Sequence, residues 1–223
     1  MKRIARWLLP LGLLLFPSQA LAGASLDDED TSPWDHGEFT MGFMGGQRNF
    51  TETNFSQVGD GERLNLDAPM SSAPYDGVTT LGLRYDLRLV VSYIRMTAGF
   101  DMPFATYNTG DTTQAYQIDG QARQVTSRSL SMRGFRFGIG GEVPTGTPLT
   151  PFVDVMGTVN FLDTTLVVDN AAYDFEATSF GFSARTGVRL QVRRWFFAQL
   201  AGEIGLKSDV VWGGELSVGF STP

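Results

Sequence analysis

Seven charged residues stand where they could act together: Arg84, Arg95, Arg136, Asp154, Arg185, Glu203 and Glu215. Each sits in a run whose alternate residues are apolar. Arginines and carboxylates drawn into a dry interior form ion pairs, and an unpaired charge there is costly. Glu203 and Glu215 are also the one carboxylate pair that could share acid–base work, although ion pairing is the commoner use of such groups. His36 is the only histidine; it precedes the first alternating run and reads as a loop residue. Nothing in the sequence assembles a Ser–His–Asp set. The absence of cysteine removes thiol nucleophiles, disulfides and Cys metal sites. Asp27, Asp28, Glu29 and Asp30 could hold a hard cation, yet such runs are usually solvated. Gly138–Gly146 ("GIGGEVPTG") looks like a phosphate loop but leads into a Pro turn and no helix. No catalytic residue, cofactor site or metal site is therefore assigned, and the chain is not read as an enzyme.

The elements that must position these charges are strands, because side chains two residues apart share one face of a strand. Eight runs qualify: about 37–50, 78–87, 90–102, 128–141, 151–161, 179–192, 195–206 and 211–220. In the sixth, Phe180, Phe182, Ala184, Val188 and Leu190 oppose Gly181, Ser183, Arg185, Gly187, Arg189 and Gln191. The fourth sets Phe135, Phe137 and Ile139 against Gly134, Arg136, Gly138 and Gly140, while Leu130, Met132 and Arg133 break that phase. A bulge or a rise clear of a membrane would explain the break.

Residues 1–22 read as a cleaved leader. "MKRIAR" is basic, "WLLPLGLLLF" is too short to span a bilayer comfortably, and Ala20-Leu21-Ala22 is an A-x-A site. A membrane anchor is the alternative. Residues 23–36 form a flexible acidic lead-in, 37–220 the domain, and 221–223 a tail. Without the three basic residues of the leader, 14 basic residues face 24 acidic ones, and Lys207 is the only lysine among them. So acidic an exported chain is a poor partner for nucleic acid. The sequons at Asn49 and Asn54 carry weight only in a glycosylating export pathway.

The connections alternate in length. Residues 47–77 and 104–127 are long, and 104–127 carries an Asp119-Gly120 hairpin signal. The links near 87–89, 142–150, 191–194 and 207–209 are short, and 162–173 is intermediate. Long outer loops alternating with tight periplasmic turns characterise outer-membrane barrels, and an even strand count returns both termini to the periplasm. Periodicity alone also allows a soluble lipocalin-like barrel with its apolar face inward. Three features favour the membrane. The polar face is rich in glycine, which suits a narrow lumen better than a wet strand surface. Aromatics gather at strand ends: Trp195, Phe196 and Phe220 at one rim, Phe100, Phe161 and Trp212 at the other. The last strand alternates and ends at Phe220.

On these features the chain resembles small bacterial outer-membrane β-barrel families, such as the transmembrane domain of outer membrane protein A and the opacity-type surface proteins. The terminal strand resembles their assembly signal, except that Ser221-Thr222-Pro223 follow the Phe. The resemblance implies an eight-stranded antiparallel up-and-down transmembrane barrel in a Gram-negative outer membrane. It also implies contacts with lipid, lipopolysaccharide and the assembly machinery. Its function would be anchoring and surface interaction through loops 47–77 and 104–127, with a possible extracellular ligand. A narrow porin-like channel is the alternative; a lipid-modifying enzyme and a soluble binder are further ones. Turns centred on Thr145, Arg194 and Asp209 would put Arg136 across from Asp154, Arg185 across from Glu203, and Glu215 across from Glu203. The expected lumen thus holds an Arg185–Glu203–Glu215 cluster and an Arg136–Asp154 pair, with Arg84 and Arg95 lining it.

Overall fold

Alternating β-branched, aromatic and small residues favour extended chain, and strands are what the computed structural model contains. It describes residues 36–50, 53–58, 77–108, 113–118, 121–143, 145–193, 195–207 and 210–222. The proposed leader, nearly all of the acidic lead-in, most of the first long loop, Asp119-Gly120, Arg194 and Asp209 lie outside these residues.

Ten strands run in chain order: β1 (His36–Arg48), β2 (Ser56–Val58), β3 (Val78–Val91), β4 (Ile94–Asn108), β5 (Thr113–Ile118), β6 (Gln121–Glu142), β7 (Leu149–Val168), β8 (Ala171–Arg193), β9 (Phe196–Lys207) and β10 (Val210–Ser221). Eight of them pair antiparallel in the order β1-β3-β4-β6-β7-β8-β9-β10, and β10 returns to β1. The sheet is closed into a ring, so its ladder has no free edge through the barrel body. Phe39↔Phe220 and Phe39↔Leu87 register the closing seam.

The boundaries differ from the expected ones for local reasons. The second strand does not stop at Leu87; it continues to Val91 and turns through Ser92 and Tyr93, both at positive φ. Two left-handed residues make the tight turn whose twist suits a hairpin, and neither is the Gly or Asn that would have announced it. The intermediate 162–173 link is instead the tops of β7 and β8, joined at Asp169-Asn170, also both at positive φ.

Strands β6, β7 and β8 have 22, 20 and 23 residues, whereas β9 and β10 have 12 each. The long three rise above the rest as a wall. Exposed strand edges invite pairing with other chains, and here both wall edges are covered. β5 pairs along β6 from Gln121 to Thr126, and β2 pairs with β8 from Asp174 to Glu176. The broken phase at the top of the fourth run is a change of residue type, not of register: the ladder is continuous from Ser129 to Glu142, and Leu130 and Met132 keep the inward phase of Arg136 while changing from polar to apolar.

Candidate functional site

In the ring body the barrel is inside out. Phe43, Leu81, Phe137, Val153, Phe180, Leu200, Ile204 and Leu216 are exposed on its outer face. The alternate positions carry buried charges: Arg48, Arg84, Arg88, Arg95, Arg136, Arg185 and Arg189 with Glu38, Asp86, Asp101, Glu142, Asp154, Glu203 and Glu215. Seven cations thus meet seven anions. An apolar outer belt around a polar interior is the arrangement a bilayer demands and water opposes, so this is a transmembrane barrel. From Leu149 to Phe161 the outer face of β7 has no charge; at about 3.4 Å per residue and a tilt of about 40° it spans roughly 30 Å.

Belts of aromatics mark both rims. Trp195 stacks on Phe220 at 5.8 Å with Phe196 tilted against both, at the terminal end, where β1 begins and β10 ends. At the loop end Phe100, Phe135 and Phe161 pack edge to face at 5.2 and 6.1 Å. Trp212 also faces out there, its Nε1 donating to Gln47 Oε1 at 3.1 Å.

Within the lumen, every one of the seven carboxylates lies within 4.0 Å of an arginine. Arg84 is the hub. Its Nε and Nη2 clasp Asp101 at 2.8 and 2.9 Å, and Nη1 reaches Glu203 at 3.1 Å and Glu215 at 3.2 Å. Arg185 donates to Glu215 at 2.6 Å and Asp86 at 3.3 Å. Arg88 bonds Asp86 and Gln199, each at 2.8 Å. Ser183 and Ser217 donate to Glu203 and Glu215 at 2.5 and 2.7 Å. Inward glycines make room for this: a Cβ on Gly99 would strike Asp86, and one on Gly140 would strike Asp154.

The expected pairs fare differently. Arg185 does stand across from Glu203, but its guanidinium bonds Glu215 on β10 instead. Glu203 faces Gly213, not Glu215, because the last hairpin is shifted by two residues. Both carboxylates still meet at Arg84. The Arg136–Asp154 pair does not form. The β6–β7 turn places Gly140 across from Asp154 and Thr158 across from Arg136. Arg136 instead lies 3.6 Å from Asp101, and Asp154 lies 3.4 Å from Arg95 and 3.8 Å from Arg185.

His36 is not a loop residue. It opens β1, half-buried, with Nε2 3.0 Å from Glu38 Oε1. Glu38 also pairs with Arg189, which bonds Glu142 at 3.2 Å. Arg48, Arg88, Arg189, Glu38, Asp86, Asp101 and Glu142 are network members absent from the expected site. Their signal was phase: Arg88 lies four residues beyond Arg84, on the same face, past the expected strand end.

Apolar side chains close both ends of the network. At the terminal end, buried Val90, Phe152 and Phe197 point inward, and Arg95 lies over the Phe152 ring at 3.8 Å. At the loop end a cluster forms from Phe50, Phe55, Val78, Val125, Met132, Leu162, Leu166, Val168 and Phe175. No group of three or more possible metal ligands occurs among the described residues.

No protein-family model matches the chain, and no curated protein sequence matches it. Solved structures resemble it. The attachment invasion locus protein Ail of Yersinia pestis is 8% identical, with a TM-score of 0.46 over 85% of this chain and 99% of that one. Neisserial surface protein A is 12% identical, with a TM-score of 0.42 over 83% and 96%. The outer membrane protein OprG of Pseudomonas aeruginosa is 10% identical, with a TM-score of 0.44 over 85% and 97%. By its own strand order and inverted faces, the chain is a small eight-stranded transmembrane β-barrel, and its likeness is to outer-membrane barrels of that kind.

Proposed function

We propose that the protein is a closed outer-membrane barrel that anchors an extracellular contact surface. The observation that carries this reading is the interlocked lumen: seven buried arginines and seven buried carboxylates, stoppered by apolar side chains at each end. An eight-stranded barrel is just wide enough for its side chains to fill, and a filled lumen leaves the work to the loop end. The raised wall of β6, β7 and β8 and the segments that cover its edges then form the contact surface. The termini face the periplasm, after removal of residues 1–22. The alternating strand that ends at Phe220 serves the assembly machinery, and the aromatic belts seat the barrel in lipid and lipopolysaccharide. No catalytic step belongs to this reading; His36 is held by Glu38.

One observation favours a second reading, a narrow conduit for ions or small solutes. On the β4–β6–β7 side, the guanidinium nitrogens of Arg95 and Arg136 and both oxygens of Asp154 make no hydrogen bond to protein. Buried polar groups of this kind are usually satisfied by water. Conductance of the refolded mature barrel in a planar bilayer separates the two. The closed barrel gives no steps, and Arg185→Ala or Glu203→Ala opens or destabilises it. Steady wild-type steps, with ion selectivity altered by those substitutions, would replace the anchor with a pore.

A further inference from the structure

The lipid-facing surface is not uniformly convex. A groove of about 440 Å³ crosses β7, β8, β9 and β10, lined on the outer face by Val153, Ala184, Thr186, Gly202, Ile204 and Trp212. Register sets its floor. Val153 stands across from Thr186, Thr186 across from Gly202, and Gly202 across from Gly214. The rows on either side are large and exposed: Ile204 and Trp212 toward the loop end, Leu200 and Leu216 toward the terminal end. The floor row climbs as it rounds the barrel, since barrel strands are tilted. Val153 lies four residues above the start of β7, whereas Ile204 lies three below the end of β9 and Trp212 two below the loop end of β10. One end of the groove is therefore deep in the hydrocarbon, and the other reaches the loop-end rim.

Nothing among the described residues accounts for the glycines of that floor. Glycine inside a strand weakens it and often marks close approach by another group. Elsewhere in the ring that group is the chain itself: a Cβ on Gly46 would strike Trp212 O, and one on Gly187 would strike Leu200 O. A Cβ on Gly202 would meet no described atom within 4 Å, and one on Gly214 none nearer than 3.8 Å. The polar groups at the groove are already engaged, the Thr186 hydroxyl by Phe152 O and the Trp212 indole by Gln47. The groove thus offers hydrocarbon contact only. Above its upper end stands Lys207, the only lysine after residue 22. Lys207 is exposed, is paired with outward-facing Phe182, and ends β9 three residues past Ile204, about 10 Å along the strand.

We infer that this groove seats one acyl chain of a phosphate-bearing lipid of the outer leaflet, lipopolysaccharide, and that Lys207 receives its phosphate. The groove opens onto the belt that faces the bilayer, so hydrocarbon surrounds it. In that medium apolar contact brings no hydrophobic gain. What a groove adds is packing, because its walls touch a chain on more sides than a convex surface does. Choice between lipids then falls to the head, where the ammonium attracts phosphate. A lysine stem lies along apolar surface and carries its charge to headgroup level, and an outward indole such as Trp212 marks that level. The inference rests on the reading that puts the loop end outside, where the leaflet carries lipopolysaccharide.

The test is native mass spectrometry of the refolded mature barrel in detergent, titrated with diphosphoryl lipid A or with phosphatidylglycerol. The gel shift of unheated barrel reports the fold. Wild type should hold one lipid A at least tenfold more tightly than phosphatidylglycerol. Gly202→Phe fills the groove and should weaken lipid A binding at least tenfold. Ile139→Phe, at an exposed belt position outside the groove, should leave it unchanged. Lys207→Gln, at an exposed strand end, keeps the groove and the fold and should remove most of the preference for lipid A. Equal lipid A binding by wild type and folded Gly202→Phe, no preference over phosphatidylglycerol, or a preference that Lys207→Gln leaves intact would each overturn the site. A barrel dimer that Gly202→Phe abolishes would give this face to a second copy instead. Epitope tags at the two ends of the mature chain judge the orientation separately, so failure of the site and failure of that reading are told apart.

Discussion

Arg84 donates to carboxylates on three different strands, Asp101 on β4, Glu203 on β9 and Glu215 on β10. Removing one member of a buried set leaves its partners charged and uncompensated, at a cost of about 3–5 kcal/mol. Arg133 pairs with Asp163 where both side chains are 38–42% exposed, and exposed pairs contribute about 1 kcal/mol or less. Arg84→Ala should therefore lower unfolding stability in lipid vesicles by several kcal/mol in a urea titration, and Arg133→Ala by less than one. Comparable losses would mean that the lumen charges are not locked. The inward direction of Arg84, Arg95, Arg136, Asp154, Arg185, Glu203 and Glu215 was legible from spacing. Their partners were not, because an arginine in so narrow a ring reaches across it. Arg185 finds Asp86 on β3, a strand to which β8 is not paired.

At the scale of the element, β7 makes the strongest claim, since one outward face passes from lipid to water along its length. Val155→Arg should cost about 2–4 kcal/mol, as for a cation on the lipid face near mid-membrane, and Thr165→Arg about 0–1 kcal/mol. Equilibrium folding into vesicles measures both, and equal costs would erase the boundary drawn at Phe161. The break at Leu130, Met132 and Arg133 was visible in the sequence as a disturbance of alternation. Its meaning was not, because a change of solvent and a change of register leave the same mark on a single strand. The pairing of β6 with β7 separates them: it is unbroken from Ser129 to Glu142, so the break marks a change of surroundings and not of register. Turn centres were hidden for a related reason. Ser92-Tyr93 adopts a left-handed turn without glycine, and the β6–β7 turn is held by Thr145 and Thr147 hydroxyls bonding Leu149 O. The β6–β7 and β9–β10 hairpins are shifted from the expected registers by even numbers of residues, which preserves the faces and changes the neighbours.

For the whole molecule, closure through β1 and β10 brings the start of β1 and the end of β10 to one rim. Thr222 N donates to Gly37 O at 2.8 Å, and the Thr222 hydroxyl accepts from Gly37 N. Epitope tags at residue 23 and after residue 223 should both stay hidden on intact cells and both become accessible once the outer membrane is permeabilised. Accessibility of either tag on intact cells would invert the orientation. Alternation, glycine-rich polar faces and the absence of cysteine determined by themselves that the chain forms amphipathic strands and closes without disulfides, since strand period is a property of local geometry. Which arginine meets which acid, and that Phe50 and Phe55 pack into the loop-end cluster, were decided only by the tertiary structure. Those outcomes depend on ring closure and on contacts between residues distant in sequence, which no local period encodes.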